Sequence, residues 1–212
     1  MPIAQINVDA ESPVLVTENT TITGYLTDLD GDPIAFVDVL VYVNGNDTEA
    51  IVTTTDEDGF YTINYTTGVV GTNNVTAVFE GNEIYAAVDN STTFEVYMLD
   101  TVITVEAESP VKLGNNSTIV GTLTDEAGEI LPNAPIVITV NDDDVIDSVT
   151  DKDGNYVIEY PGEVIGINNV TVVFEGNQTH NPSEANTTFE VINPKDYITV
   201  EAESPVLVTE NT

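Results

Sequence analysis

The chain has no cysteine, which removes disulfide staples and thiol chemistry together. It has no arginine and three lysines against 37 Asp and Glu, for a formal net charge of −34. A surface of that sign repels nucleic acid and anionic lipid, so nucleic acid is excluded as a partner; cations and cationic surfaces are favoured. No apolar run approaches the length that spans a bilayer, so no membrane insertion is expected in this segment. Residues 1–7 have neither the basic start nor the apolar stretch of a signal peptide, and export signals or anchors are expected outside the segment. Histidine occurs once, as His180. The charged fraction, 19%, is too low for a disordered chain, and 41% hydrophobic residues suffice for two modest cores.

What the chain does have is repetition. Residues 203–212, ESPVLVTENT, copy residues 11–20 letter for letter, and 103–111 and 198–206 are both ITVEAESPV. Gly24, Asp28 and Gly31 recur 97 positions later as Gly121, Asp125 and Gly128. After a two-residue deletion, Gly59, Tyr61 and Tyr65 recur at an offset of 95 as Gly154, Tyr156 and Tyr160. GVVGTNNVTAVFEGN (68–82) matches EVIGINNVTVVFEGN (163–177) at 11 of 15 positions. The expected organisation is one repeat over 1–100, a second over 101–195, and the opening of a third over 196–212. Units of this length suit small β-sandwiches and exceed the helical solenoid repeats.

Polarity alternates with a period of two along short segments. Inward sets are Ile22, Gly24 and Leu26, with the neighbouring threonines and Tyr25 outward; Val37, Val39, Val41 and Val43; Tyr61, Ile63 and Tyr65; Val75, Ala77 and Phe79; and Phe94 and Val96. The second repeat matches them from Ile119 to Val191. With the opening segment and a short strand over 49–54, this predicts about seven strands per repeat, and no helix. Seven short antiparallel strands bury their inward rows only against a second sheet. The expected fold class is therefore all-β: two tandem antiparallel β-sandwiches. Asp56–Gly59 and Asp151–Gly154 carry hairpin chemistry, with Asp capping backbone donors and Gly taking positive φ.

The order TDxxGxxxxxxxVxVxVN, TDxDGxYxIxY, NNVTxVFEGN, TTFEV, occurring twice, resembles the bacterial-type Ig-like repeats of archaeal adhesin-like proteins of the methanogen type. That resemblance implies large extracellular, cell-surface proteins whose Ig-like strings act as stalks or attachment modules. It implies no catalytic residues. The implied partners are the surface of another cell, through a glycan or protein ligand, and flanking repeats of the same chain.

Catalysis has little footing. His180 is replaced by Tyr85 in the first repeat, and no nucleophile elbow accompanies it. No cofactor is expected, with calcium the one candidate. Alternating carboxylates at Asp28, Asp30 and Asp32, the cluster containing Asp142 and Asp144, and a linker set of Asp100 with Glu106 offer hard-cation oxygen ligands. None matches an EF-hand loop, and the competing reading is turn formers and solubilising charge. Ten Asn-x-Ser/Thr positions are glycosylation candidates: Asn19, Asn46, Asn64, Asn74, Asn90, Asn115, Asn116, Asn169, Asn177 and Asn186. Lys112, Lys152 and Lys195 have no equivalents in other repeats, which disfavours a shared isopeptide cross-link. Tyr25 and Tyr42, whose counterparts in the second repeat are Thr122 and Thr139, are outward aromatics able to stack on a sugar ring. Two further functions stay open beside the adhesive stalk: a carbohydrate- or protein-binding domain pair, and an acidic cytosolic protein of a halophile.

Overall fold

A computed structural model describes residues 1–45 and 50–193. Asn46, Lys195 and the third-copy segment 196–212 lie outside the described residues. Every regular element described is a β-strand.

The first repeat contributes β1 (Ala4–Ile6), β2 (Asp9–Ala10), β3 (Val14–Leu15), β4 (Asn19–Asp28), β5 (Asp38–Val43), β6 (Ile51–Thr54), β7 (Phe60–Thr66), β8 (Gly71–Phe79) and β9 (Val88–Tyr97). The second contributes β10 (Thr101–Ile103), β11 (Glu106–Ala107), β12 (Val111–Lys112), β13 (Asn116–Asp125), β14 (Pro135–Val140), β15 (Asp144–Val149), β16 (Asn155–Pro161), β17 (Gly166–Phe174) and β18 (Ser183–Ile192). In the first repeat β4 carries β1 and β2 on one edge and β7 on the other. The second sheet has the order β3-β9-β8-β5-β6. The second repeat reproduces both sheets strand for strand. By contact the chain divides into two compact units. One holds Met1–Val102 with Thr124–Ile130 and Phe174–Ser183; the other holds Ile103–Leu123, Leu131–Val173 and the described chain from Glu184 on.

The opening segment departs from the single strand expected. It is broken into three pieces that serve both sheets. β1 and β2 pair antiparallel with β4. Past the cis Ser12–Pro13 bond, the chain changes sheet and β3 pairs parallel with β9, Val14 opposite Val96. β12 does the same with β18, Val111 opposite Val191. Nine elements per repeat thus amount to seven strands when the opening one is counted once, and one pairing is parallel.

Alternation fixes which side chains enter the core. Ile22, Leu26 and Tyr61 from the first sheet meet Val39, Val41, Val75, Phe79, Phe94 and Val96 from the second in one buried cluster. Each fully buried Val, Leu or Ile contributes about 1.5–3 kcal/mol against the entropy cost of ordering the chain. The second repeat buries Ile119, Leu123, Ile138, Val172, Phe174 and Phe189 at the matching places.

Gly24 and Gly121 are in-phase core positions with no side chain, for a steric reason. The Tyr61 hydroxyl passes over Gly24 to donate to the Asn7 carbonyl, 2.5 Å away. The Tyr156 hydroxyl does the same over Gly121 to Thr104. A Cβ on either glycine would overlap both the hydroxyl and the carbonyl. Thr20 also differs from the sequence reading, which turned the β4 threonines outward. It is fully buried, and its hydroxyl donates to the Glu11 carbonyl at 2.8 Å.

Candidate functional site

The acidic loops resolve into one device used four times. Asp28, Asp56, Asp125 and Asp151 each open a five-residue turn with glycine in the fourth place. In each, the aspartate Oδ1 accepts the backbone N–H groups two and four residues on, at 2.8–3.0 Å. The glycine takes a positive φ of 73–89°. Its N–H donates to the aspartate's own carbonyl at 3.0–3.2 Å. The carboxylate replaces the backbone acceptors that a tight turn cannot supply. At Asp151 the consequence is electrostatic. The N–H groups of Asn155 and then Asp153 hold its carboxyl below the usual range, assisted by the Asn155 side chain and the Lys152 charge.

The seven metal candidates fall in four separate places. Asp28, Asp30 and Asp32 share the first turn, where the Asp28 carboxylate takes the N–H groups of the other two. Asp100 follows β9, and its Oδ1 accepts from the Asn181 amide at 2.8 Å. Glu106 is exposed on β11, paired with Val120 on β13. Asp142 sits in the β14–β15 turn at φ 63°, and Asp144 Oδ2 accepts the Tyr160 hydroxyl at 2.5 Å. Burial, that bond and the charges of Asp144 and Glu163 push the Tyr160 phenol up to about 12. Among the described residues no three His, Asp or Glu side chains converge as a metal ion requires.

Of the glycosylation candidates, Asn19, Asn64, Asn74, Asn90, Asn115, Asn116, Asn169, Asn177 and Asn186 are all exposed. Three of them already use an amide N–H: Asn90 donates to the Ile6 carbonyl at 3.0 Å, Asn74 to Thr76 Oγ1 at 3.2 Å and Asn186 to Glu184 Oε1 at 2.9 Å. Lys112 and Lys152 are exposed, and Lys152 pairs with its neighbour Asp153 at 2.5 Å. Neither is in the buried setting that an isopeptide bond needs. His180 Nδ1 lies 2.9 Å from Thr179 Oγ1 and 3.2 Å from Asn177 Oδ1, which is loop capping.

Two features escaped the sequence reading. The first explains the NNVT motif. Asn73 is buried, donating from Nδ2 to the carbonyls of Val69 and Gly71 at 2.8 Å and accepting from Asn44 Nδ2 at 2.7 Å. Asn44 in turn accepts from the Asn74 N–H at 2.9 Å. Asn168, Asn141 and Asn169 repeat the network around the carbonyls of Val164 and Gly166. The first Asn of each pair braces the loop before β8 or β17, and the second faces solvent. Sequence phase could have found it, since Asn73 shares parity with Val75, Ala77 and Phe79.

The second feature is a partner for Tyr25. Phe60 stands directly across from it on β7, ring centroids 5.1 Å apart and tilted by 55°. The pair lies on the outer face of the first sheet. In the second repeat the corresponding cross-strand pair is Thr122 and Asn155.

Sandwiches of two such sheets, with an opening strand that switches between them, are Ig-like modules. Neither a protein-family profile nor a curated protein sequence matches the chain. Solved structures similar to it include invasin, a bacterial integrin-binding protein, at 21% identity and TM-score 0.46, covering 90% of this chain and 39% of that one. The Yersinia pseudotuberculosis adhesin InvE is 15% identical at TM-score 0.40, covering 88% of this chain and 58% of that one. The titin domains Z1Z2, in a complex with telethonin, are 12% identical at TM-score 0.48, covering 92% of this chain and 98% of that one. The chain therefore spans little more than half of the InvE chain and well under half of invasin. Likeness at this level concerns the fold, and one fold serves many functions.

Proposed function

We propose that the chain is a non-catalytic stalk and attachment segment of an extracellular, cell-surface adhesin, folding without a bound cofactor. Its modules on this reading are 1–100 and 101–195, with a third opening at 196–212, and its organisation follows the archaeal-type tandem Ig-like pattern. One observation carries the reading. The residues that build the sandwich are shared by the two repeats: Gly24 and Tyr61, Asn44 and Asn73, Asp28 and Asp56, each with its counterpart. The outward aromatics are not shared, Tyr25 and Phe60 standing against Thr122 and Asn155 and Tyr42 against Thr139, while exposed Glu11, Asn74, Thr93 and Glu95 do recur as Glu108, Asn169, Thr188 and Glu190. Selection for a repeated scaffold keeps the frame and lets the outward aromatics differ between copies.

The partners on this reading are the surface of another cell and neighbouring repeats of the same chain. Surface exposure is tested by treating intact source cells with a Glu-specific protease and identifying the released peptides by mass spectrometry. Peptides of this chain should appear before lysis. Their appearance only after the cells are opened would overturn the reading.

A further inference from the structure

We propose that the outer face of the β1/β2–β4–β7 sheet is a docking site for a basic, arginine-bearing segment of a protein partner, with Tyr25 and Phe60 as its cation-binding platform. This deepens the attachment reading and rests on it for its biological setting.

Among the described residues the face is unpartnered, and it can be built row by row from the strand register. The first row is Asn7, Tyr25 and Phe60. Tyr25 is 48% exposed and pairs with Phe60, while its N–H donates to Asn7 Oδ1 at 2.5 Å. The next row is Asp9, Thr23 and Thr62, and the one after is Glu11, Thr21 and Asn64. At the far edge the Asp56 turn closes onto Phe60, whose N–H donates to Asp56 Oδ1 at 2.9 Å, with Asp58 exposed beside it. Two aromatic rings thus lie among carboxylates from β2 and from the β6–β7 turn.

Charge selects the occupant. Residues 1–100 carry 17 Asp and Glu and no Lys, Arg or His. No cationic side chain of the first repeat can therefore cover these rings. A second copy of the chain brings the same negative charge and is repelled. A guanidinium satisfies both elements, since it stacks on aromatic faces and bonds carboxylates through its planar fork. The fold does not require the rings, because the second repeat builds the same rows with Thr122 and Asn155.

That natural exchange supplies the test. In the full chain, Tyr25→Thr with Phe60→Asn installs the residues the second repeat already tolerates and leaves the charge unaltered. Binding of a hexa-arginine peptide is measured by titration calorimetry at physiological salt for the wild type, this variant, and the reciprocal Thr122→Tyr with Asn155→Phe. Non-specific attraction to the acidic surface is common to all three. The platform predicts about five-fold weaker binding for the first variant, with an unchanged salt slope. It predicts an added site in the reciprocal one. Equal affinity for wild type and the first variant would overturn the proposal. So would tighter binding of a neutral polysaccharide, dextran or mannan, lost in the same variant, which would make the face a sugar platform. The assay uses purified protein, so its failure leaves the protease result on cells standing, and the reverse holds equally.

Discussion

Replacing Asn73 by leucine keeps the side chain's approximate volume and removes three hydrogen bonds. The carbonyls of Val69 and Gly71 lose their donor, and the Asn44 amide loses its acceptor. A buried polar group left without a partner costs about 1–3 kcal/mol. The loop tip is exposed at Val69 and Val70, so water can reach part of the vacated space. The low end of that range applies, giving about 3 kcal/mol in all. In a module of this size 1 kcal/mol corresponds to about 4–8 °C, so its melting temperature should fall by roughly 15 °C. The control is one residue away. Asn74 is exposed, among the described residues its side chain bonds only Thr76 Oγ1, at 3.2 Å, and Asn74→Leu should change stability by less than about 0.5 kcal/mol. Differential scanning calorimetry of the full chain compares the two. Asn73→Asp sharpens the test, because it points an oxygen where Nδ2 now donates. Burial and the facing carbonyls raise that carboxyl above its unfolded pKa of about 4. Its deficit should therefore be smallest below pH 4 and grow as pH rises through the folded value. Equal losses at 73 and 74, or none at either, would refute the bracing role.

Three further outcomes follow from the same contacts. Gly24→Ala or Gly121→Ala should destabilise its module by about 3 kcal/mol or more in chemical denaturation, since the new methyl overlaps a tyrosine hydroxyl and a backbone carbonyl; a near-neutral effect would mean the tyrosine is free to move. Burial, and for Tyr61 also the Asp9 charge, raises the Tyr61 and Tyr156 phenols well above their usual value, so their stabilising contribution is complete below pH 10 and lost as pH rises. Tyrosinate absorbance should show these residues and Tyr160 ionising last, with unfolding; nine tyrosines titrating together in a folded chain would contradict that. Exchanging EDTA for calcium should leave the calorimetric midpoint unchanged, because the turn aspartates are already satisfied by backbone N–H groups; a clear rise would point to an ion these turns do not explain.

The repeat, the strands and the Asp-Gly turns were legible because each is written in local sequence: copied letters, period-two polarity, and residues with unusual backbone freedom. The opening segment was not. Pro13 marks a break in the strand, but the division between two sheets depends on which edges β4 and β9 leave open, and local sequence does not record that. Buried polar residues were missed for a different reason. Asn73 and Thr20 occupy inward phases, but their chemistry reads as outward until the carbonyls they serve are placed beside them. Phe60 was invisible as a partner of Tyr25, since that pairing exists only once β4 and β7 are in register. The acidic candidates illustrate the converse. Alternating aspartates carry the same letters whether they hold a cation or fasten a turn, and only the direction of the neighbouring N–H groups separates the two.

The parallel contact between β3 and β9 joins the entering strand of a module to the leaving one, with Val16 N–H bonded to the Tyr97 carbonyl at 2.9 Å and Val14 opposite Val96. A tug on the two ends of such a module slides these strands lengthwise past each other. The bridging bonds then share the load and must give way together, whereas a hairpin gripped at its open end would peel apart one rung at a time. Each carriage of the chain is latched in the direction along which a tether is pulled.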